Sequence, residues 1–436
     1  MTSLNPRFLR RWERSWAKRG ASLSYGTRRD ALRKLLLMAS ASPLLAQQGP
    51  ANGGRARQGG AGPQIWYPAN YGGDVMIPAN VLEFEPIAKT KIHPLAYDYI
   101  AGGVEDEVTL RANRAAYTRV WLRRRVMVDV SKIDTSLELL GKKLEYPILM
   151  DPTGGKNLAN PDADRIAAEA AYDSKTIYCV AAAGWMDRLA AANRVPMWWS
   201  NSVGLGSKQL AAGFARRSED AGCCGFIITM DYEYTPNKDR NNRNHYDYGY
   251  AAEGIPKPGE NRPPRSPAVA AMLQPATPWM TFEVVDWLHS ASNLPVILKG
   301  ILRPDDAIKA VEAGAQAIVV SNHGGRAFDG AIATLDALPA VVDAVGGRIP
   351  VLMDGGIRRG DDILKALALG AKAVLMGRPY VWGLAAFGHV GVQRVLDMLR
   401  AELVLAMGLA GVPSLASINR SLVQRAWVPP SSGGWA

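Results

Sequence analysis

Cysteine and histidine are scarce in this chain, which has three cysteines and five histidines among 436 residues. The three cysteines, of which Cys223 and Cys224 are adjacent, do not make a disulfide framework, because neighbouring cysteines rarely bridge. The histidines and cysteines also lack the short paired spacings that bind zinc. We therefore expect neither disulfides nor a metal to organise the chain.

Beyond its first residues, the chain carries little excess of basic over acidic charge. The net charge is +11, but residues 1–46 contain ten basic and two acidic side chains and so carry eight of those charges. The remainder is nearly balanced. A nucleic-acid-binding protein needs a basic surface on its folded part, so we do not expect a nucleic acid as partner.

No apolar run near the N-terminus is long enough to cross a bilayer, but a shorter one follows a basic segment. Arg28 and Arg29 precede the apolar run 35–38, and small and apolar residues continue beyond it. This order is typical of a secretory signal. The paired arginines resemble a twin-arginine signal, which exports folded proteins, although Ala31 stands where such signals usually carry a large apolar residue.

We therefore predict that residues 1–46 are a twin-arginine-type signal that directs the protein to the periplasm. The alternatives are a disordered basic arm on a cytoplasmic protein and a start codon assigned too far upstream. Residues 47–65, rich in Gln, Gly, Pro, Ala and Arg, are predicted to form a disordered linker. The folded part is then residues 66–436, as one large domain or, alternatively, as two of medium size.

From residue 147 onward, short apolar runs alternate with amphipathic, helix-like segments. Eight such alternations are the pattern of a closed parallel (β/α)₈ barrel, the TIM barrel of the α/β class, here with an N-terminal helical extension. The gap after the fourth run is the longest, so residues 232–290 are predicted to form a lid over the barrel mouth. The strand candidates are Pro147–Met150, Ile177–Ala181, Trp198–Val203, Gly225–Met230, Pro295–Leu298, Ala317–Val320, Pro350–Met353 and Ala373–Met376.

Polar residues follow five successive strand candidates, at the end where such barrels carry their catalytic groups. Glycine and arginine recur after the last two strands, and backbone N–H groups with arginine side chains are suited to binding a phosphate there. The strand-end residues are Asp231, Lys299, Ser321-Asn322-His323, Asp354 and Gly377-Arg378.

Several of these segments resemble one enzyme family. Ser321-Asn322-His323-Gly324-Gly325-Arg326 resembles the signature of the FMN-dependent 2-hydroxy-acid oxidases and dehydrogenases, such as glycolate oxidase, lactate oxidase and mandelate dehydrogenase. The segments 354–360 and 377–379 are similar to its flavin-phosphate loops. The segments 97–103 and 109–113 are similar to its N-terminal motif, and the resemblance extends from about residue 80 to 425.

The resemblance implies that FMN is the cofactor and that a 2-hydroxy acid is oxidised to a 2-oxo acid. His323 would be the base that takes the hydroxyl proton while hydride passes to flavin N5, with formation of a carbanion as the alternative. Asp231 would stabilise the imidazolium, Arg326 would bind the substrate carboxylate and Tyr99 would donate a hydrogen bond to the substrate.

The resemblance also implies a set of flavin contacts. Lys299 would lie near the N1–O2 edge of the flavin, where reduction places negative charge. The cofactor-binding positions carried over are Pro152, Thr153, Gly154, Ala181, Ser200, Thr229, Lys299, Ser321, Asp354, Gly355, Gly356, Arg358, Gly377 and Arg378.

The third strand departs from the family pattern. The family has a flavin-binding Gln and a substrate-binding Tyr two residues apart on this strand, so that both face the pocket. Aligned without gaps, these positions are Ser200 and Ser202. A slip of one residue would instead turn Asn201 inward, because it exchanges the two faces of the strand.

Two further departures affect the flavin and the substrate. Ala181 replaces a flavin-contacting Ser, and Lys238 replaces a second carboxylate-binding Arg that Arg240 could supply if the loop is shifted. These changes suggest a substrate bulkier than glycolate or lactate. Three tryptophans could line a larger pocket, or else belong to the core: Trp185, Trp198 and Trp199.

Three other functions compete with this one: a different reaction on an FMN barrel, flavin binding without turnover, and nucleic-acid binding. The electron acceptor is left open among oxygen, a quinone and a cytochrome. Membership of the family would also imply a homo-oligomer.

If the signal is correctly identified, replacing Arg28 and Arg29 together with lysine blocks export. The positive charge is kept, so a loss of export would show that the arginine pair itself is read. Fractionation of expressing cells should then find the variant in the cytoplasm and the unaltered protein outside it. Normal export of the variant would show that the twin-arginine interpretation is wrong.

Overall fold

The computed structural model describes residues 78–180, 194–246, 255 and 280–426. The predicted signal, the predicted linker, Ala181, Trp185 and much of the predicted lid lie outside the described residues. Among the helices within these ranges, none is both long and apolar enough to cross a membrane.

The chain begins, in the described part, with a helical extension ahead of the barrel. Its helices are α1 (Phe84–Lys91), α2 (Pro94–Ala101) and α3 (Val108–Thr118), and short strands follow at β1 (Val120–Leu122), β2 (Leu137–Leu139) and β3 (Lys142–Leu144). The Asp329 carboxylate accepts hydrogen bonds from the backbone N–H groups of Val108 and Thr109 at the start of α3. A helix start leaves such donors without intrahelical partners, so this contact anchors the extension to the barrel.

Eight parallel strands close into a barrel in chain order, which confirms the predicted fold and all eight strand candidates. Each strand is buried, because the helices cover the outside of the sheet and side chains fill the inside. The strands are β4 (Ile148–Met150), β5 (Ile177–Val180), β6 (Met197–Ser202), β7 (Phe226–Thr229), β8 (Val296–Ile301), β9 (Ala317–Val320), β10 (Val351–Met353) and β11 (Ala373–Met376).

The helices around the barrel include the amphipathic segments between the strand candidates. The last helix is the longest. After it comes a short strand, β12 (Val423–Arg425), which pairs with β1. The helices are α4 (Ala163–Asp173), α5 (Lys208–Asp220), α6 (Asp239–Arg243), α7 (Glu283–His289), α8 (Pro304–Glu312), α9 (Thr334–Val345), α10 (Gly360–Ala368) and α11 (Arg378–Ala410).

Along each barrel strand, residues point alternately into the barrel interior and toward the surrounding helices. On β6, Trp199 packs inside the barrel in one cluster with Cys179 and Ile227 of the neighbouring strands β5 and β7, whereas Trp198 belongs to the cluster between the strands and the helices. Both tryptophans are at most 1% exposed. The idea that Trp198 and Trp199 line a substrate pocket is therefore wrong, because both are core residues.

The same alternation corrects the predicted register of β6. Ser200 faces outward, where its hydroxyl lies 2.6 Å from that of Ser218 on α5. Asn201 faces inward and, with Val203, lines the cavity at the barrel mouth. The predictions that Ser200 contacts the flavin and that Ser202 contacts the substrate are therefore wrong, because the assumed register is off by one residue. The alternative register, in which Asn201 faces inward, is correct.

Candidate active site

A cavity of about 300 Å³ opens at the carboxyl ends of the barrel strands. Most of the predicted site residues meet there, although they come from segments far apart in the chain. Those that line it are Tyr99, Pro152, Thr153, Gly154, Thr229, His323, Arg326, Asp354, Gly355, Gly356, Arg358, Gly377 and Arg378. Asp231, Lys299 and Ser321 lie directly behind this lining, where they bond to His323 and Asp354.

His323 projects into the cavity from an unusual backbone conformation. Its φ is 58°, and Gly324 and Gly325 continue in the same left-handed region. That conformation costs a non-glycine residue of order 1–3 kcal/mol and is typical of functional sites. The His323 N–H donates to the Ser321 hydroxyl at 3.0 Å, which fixes the turn.

The His323 imidazole is paired with a carboxylate. Its Nδ1 lies 3.0 Å from Asp231 Oδ1, a residue that follows β7. Burial lowers the pKa of His323, and Asp231 only partly opposes this. Burial would raise the pKa of Asp231, but His323 and Lys299 outweigh it and lower that pKa. At neutral pH the pair is thus a neutral imidazole beside a carboxylate, which is the form that can accept a proton.

Lys299 lies below this pair, almost fully buried. Its ammonium donates to Ser321 Oγ at 3.0 Å and is 2.9 Å from Asp354 Oδ2. Ser321 in turn donates to the same Asp354 oxygen at 2.7 Å. Burial would lower the pKa of Lys299, but Asp151 and Asp354 raise it, so a positive charge is held at the base of the cavity.

Two further arginines, Arg358 and Arg378, line the cavity beside the glycine loops after β10 and β11. Burial lowers the pKa of Arg358 to about 10 and, together with repulsion by Arg326 and Arg358, the pKa of Arg378 to about 9. Both stay charged at neutral pH, so each would be stabilised by an anion. Gly356 beside them has a φ of 77°, and a Cβ there would lie 2.3 Å from the Asn113 carbonyl oxygen. Only glycine fits, and the arrangement suits a bound phosphate.

Arg326 and Tyr99 form the wall near His323. The Arg326 guanidinium donates to the Tyr99 carbonyl at 2.6 Å and lies 4.9 Å from the centre of its ring. The Tyr99 ring is stacked on Tyr246 at 4.9 Å. These contacts fix the direction in which Arg326 meets a ligand in the cavity.

Lys238 is not part of the cavity lining but adjoins it. Its ammonium donates to the Tyr232 hydroxyl at 3.0 Å and lies 5.5 Å from the ring centre of Tyr99. Burial and repulsion by Arg326 lower its pKa well below the ordinary value, so a carboxylate in the cavity would stabilise its charged form.

Arg240 does not substitute for the missing arginine, since it lies 2.7 Å from Glu107 on the extension.

Several residues that complete the site are not among those predicted from the sequence. Asn201 and Val203 required the correct register, and Tyr232 lies in the predicted lid. Asp151 follows β4 and lines the cavity, so the strand-end rule would have found it on the first strand. Asn113 exchanges two hydrogen bonds with Asn322 across 209 residues of sequence, a contact that no local pattern reveals.

Comparison with known proteins gives a consistent result. Residues 88–425 match the family model described as FMN-dependent dehydrogenase. A peroxisomal (S)-2-hydroxy-acid oxidase of Oryza sativa subsp. japonica is 41% identical over 355 residues, covering 80% of this chain and 96% of its own. An L-lactate oxidase of Nostoc sp. is 40% identical, covering 79% and 98%. A crystal structure of mandelate oxidase with (S)-4-hydroxymandelic acid is 35% identical with a TM-score of 0.73, covering 80% of this chain and all of that one.

Arg358→Ala should weaken FMN binding by about 10- to 100-fold, the scale of one charge-assisted hydrogen bond. The reason is that Arg358 supplies positive charge at the phosphate end of the cavity. Titration of the apoprotein with FMN, followed by quenching of flavin fluorescence, measures the change.

Arg359→Ala is the matched control, because the Arg359 guanidinium pairs with Glu402 at 2.8 Å and does not line the cavity. Unchanged affinity in Arg358→Ala, or an equal loss in both variants, would contradict a specific phosphate contact.

Proposed function

The chain belongs to the FMN-dependent dehydrogenase family and is an FMN-dependent 2-hydroxy-acid oxidoreductase, and on that premise we propose that His323 is its base and that its preferred substrates are bulky. The observation that carries the first part is the His323 Nδ1 to Asp231 Oδ1 distance of 3.0 Å in a cavity that also contains Arg326.

In the proposed mechanism, Arg326 binds the substrate carboxylate and turns the hydroxyl group toward His323. His323 accepts the hydroxyl proton at its free ring nitrogen, and Asp231 stabilises the imidazolium that forms. Tyr99 donates a hydrogen bond to the substrate beside Arg326. Lys238 adds positive charge at this end of the cavity, as a single ammonium and not as a two-pronged guanidinium.

FMN fits the remaining residues. Arg358, Arg378 and the glycine loops would hold its phosphate, Pro152 to Gly154 and Thr229 would contact the ring, and Lys299 would face the edge that becomes negative. FMN would supply the acceptor for the hydride that leaves C2 of the substrate. The Lys299 charge is fixed in advance by Ser321 and Asp354, so little reorganisation is needed when charge develops.

The preference for bulky substrates follows from the corrected register of β6. The family pattern has Tyr where Val203 lies, at the rim of the cavity. Valine leaves space beside the substrate that a tyrosine ring would fill. A phenyl or branched side chain can use this space and gains about 25 cal/mol for each Å² of apolar surface that it buries. Glycolate has no side chain with which to do so.

Three further properties are part of the proposal. Residues 1–46 direct export to the periplasm, and residues 66–436 then act there as one FMN-binding domain. The protein is a homo-oligomer, as the family resemblance implies. Its electron acceptor is oxygen, a quinone or a cytochrome, and stopped-flow reoxidation of the reduced protein with each would identify it.

His323→Ala should lower kcat by about 10²-fold or more while FMN stays bound, the usual scale for loss of a general base. In the unaltered enzyme, kcat/KM should stay high below pH 6.5, because the pKa of His323 is lowered. It should fall as the pH drops through that lowered pKa and the imidazole takes up a proton.

His389→Ala is the matched control, since His389 forms a similar pair with Asp173 at 2.9 Å away from the cavity. A normal kcat in His323→Ala would remove His323 from its proposed role.

Val203→Tyr should lower the ratio of kcat/KM for mandelate to that for glycolate by about tenfold or more, the scale of a steric change in a substrate pocket. Ser202→Tyr places the same side chain one residue earlier, on the outward face of β6, and should leave the ratio within about twofold. Steady-state kinetics with both acids gives the result. A preference for glycolate in the unaltered enzyme, or equal losses for both acids in Val203→Tyr, would refute the proposal.

A further inference from the structure

Asp151 is a cavity-lining carboxyl group with no role in the mechanism above. It follows β4, and its backbone is fixed by a hydrogen bond from its N–H to the Met376 carbonyl at 3.0 Å and one from the Tyr380 hydroxyl to its own carbonyl at 3.1 Å. Its Oδ1 lies 3.9 Å from the Lys299 ammonium. A Cβ on Gly377 would lie 3.4 Å from its Oδ2, so the carboxyl group spans the space between two flavin-site residues.

The charges around Lys299 do not balance if every carboxyl group is ionised. Asp151, Asp231 and Asp354 all act on this one ammonium. Asp354 is 2.9 Å from it, and Asp231 is paired with an imidazole that is neutral at neutral pH. An uncompensated charge in a buried site is costly, and the usual response is for one group to keep its proton.

The hydrogen bonds identify which group that is. Three carboxyl oxygens here are buried without a hydrogen-bond partner within the described part of the chain: Asp151 Oδ1, Asp354 Oδ1 and Asp231 Oδ2. The side chains of Asp151 and Asp354 are within hydrogen-bonding reach of each other, whereas Asp231 is already paired with His323. Two ionised oxygens cannot satisfy each other, but one proton between the two carboxyl groups would satisfy both. Asp354 already accepts bonds from Lys299 and Ser321 as a carboxylate, so the proton belongs on Asp151.

We propose that Asp151 is a positioning residue of the flavin site, whose carboxylic acid shares its proton with Asp354 and thereby preserves the positive charge that Lys299 presents to FMN. The inference depends on FMN in this cavity, and it does not depend on which hydroxy acid is oxidised. An ionised carboxylate at this position would oppose the negative charge that FMN acquires on reduction, whereas a protonated one does not.

The other titratable groups that face Asp151 agree with this assignment. Burial raises the pKa of Asp151 well above its ordinary value, Lys299 opposes the shift and Asp354 adds to it. Asp231 also raises the pKa of Asp151. Cys179 on β5 and Tyr380 on α11 are its other titratable neighbours among the described residues. Burial raises the pKa of both, so they are neutral near pH 7 and cannot replace the Lys299 charge as a partner.

Infrared spectroscopy of the FMN-loaded protein tests the protonation directly. The unaltered protein should show the C=O band of a protonated carboxyl group, shifted in D₂O, and Asp151→Asn should lack it. Asp129→Asn, the same change at an exposed position, should retain the band. Absence of the band from the unaltered protein, or its survival in Asp151→Asn, would overturn the proposal.

Sulfite affinity tests the effect on the flavin without any hydroxy acid, so its outcome is separate from that of the proposed function. Sulfite adds to oxidised FMN and leaves negative charge on the ring, and its dissociation constant therefore reports the local positive charge. Asparagine is neutral and still a hydrogen-bond donor, so Asp151→Asn should change the sulfite dissociation constant by less than about threefold. Asp151→Leu, similar in shape but without a donor, should weaken sulfite binding about tenfold, the scale of one charged hydrogen bond.

The tenfold change corresponds to about 30 mV in the two-electron potential of FMN, which dye equilibration can measure. Sulfite binding about tenfold tighter in Asp151→Asn would mean that Asp151 is ionised, and unchanged binding in Asp151→Leu would mean that it has no influence. Either result overturns the proposal. Should Asp151→Leu fail to retain FMN, Asp151→Ala carries the same expectation.

Discussion

One buried positive charge organises the centre of this protein. The Lys299 side chain is 1% exposed, and such a charge is tolerable only with close partners. Ser321 and Asp354 supply them from the two strands that follow along the barrel. Ser321 also accepts the His323 N–H, so the hydroxyl that bonds to Lys299 also fixes the turn that presents the imidazole. The proposed flavin site and the proposed proton acceptor are thus parts of one hydrogen-bonded network.

The N-terminal extension is the second support of this network. Asn113 on α3 and Asn322 beside His323 exchange hydrogen bonds of 2.8 and 2.9 Å. The Arg378 guanidinium, at the phosphate end, donates to the carbonyls of Ile100 and Gly102 at the end of α2. Both ends of the cavity are therefore held by residues that precede the barrel. This explains why the family resemblance begins well before the first barrel strand.

Sequence reasoning identified the strands and the strand-end residues because both depend on local pattern. Apolar runs such as Ala317–Val320 mark buried parallel strands, and polar residues directly after them must lie at one mouth. Which residues of β6 point into the barrel could not be predicted in the same way. All of its residues from Trp198 to Asn201 are buried, so polarity does not distinguish its two sides. The two faces are distinguished by tertiary contacts. Ser200 contacts Ser218 on the helix side, and Asn201 contacts Thr229 on the barrel interior side.

The two ends of the cavity constrain the sequence to different degrees. At the phosphate end, Gly356 admits no side chain, and Arg358 and Arg378 are partly buried positive charges that repel each other, so a substitution there produces a clash or changes the charge that faces an anion. At the rim, Val203 is 37% exposed, and a change of its size alters the shape of the opening and little else. Substitutions can therefore accumulate around the substrate while the cofactor contacts are kept. On the proposed function, the substrate class consequently depends on the few rim residues, whereas the cofactor and the proposed proton acceptor depend on contacts that tie the whole barrel mouth together.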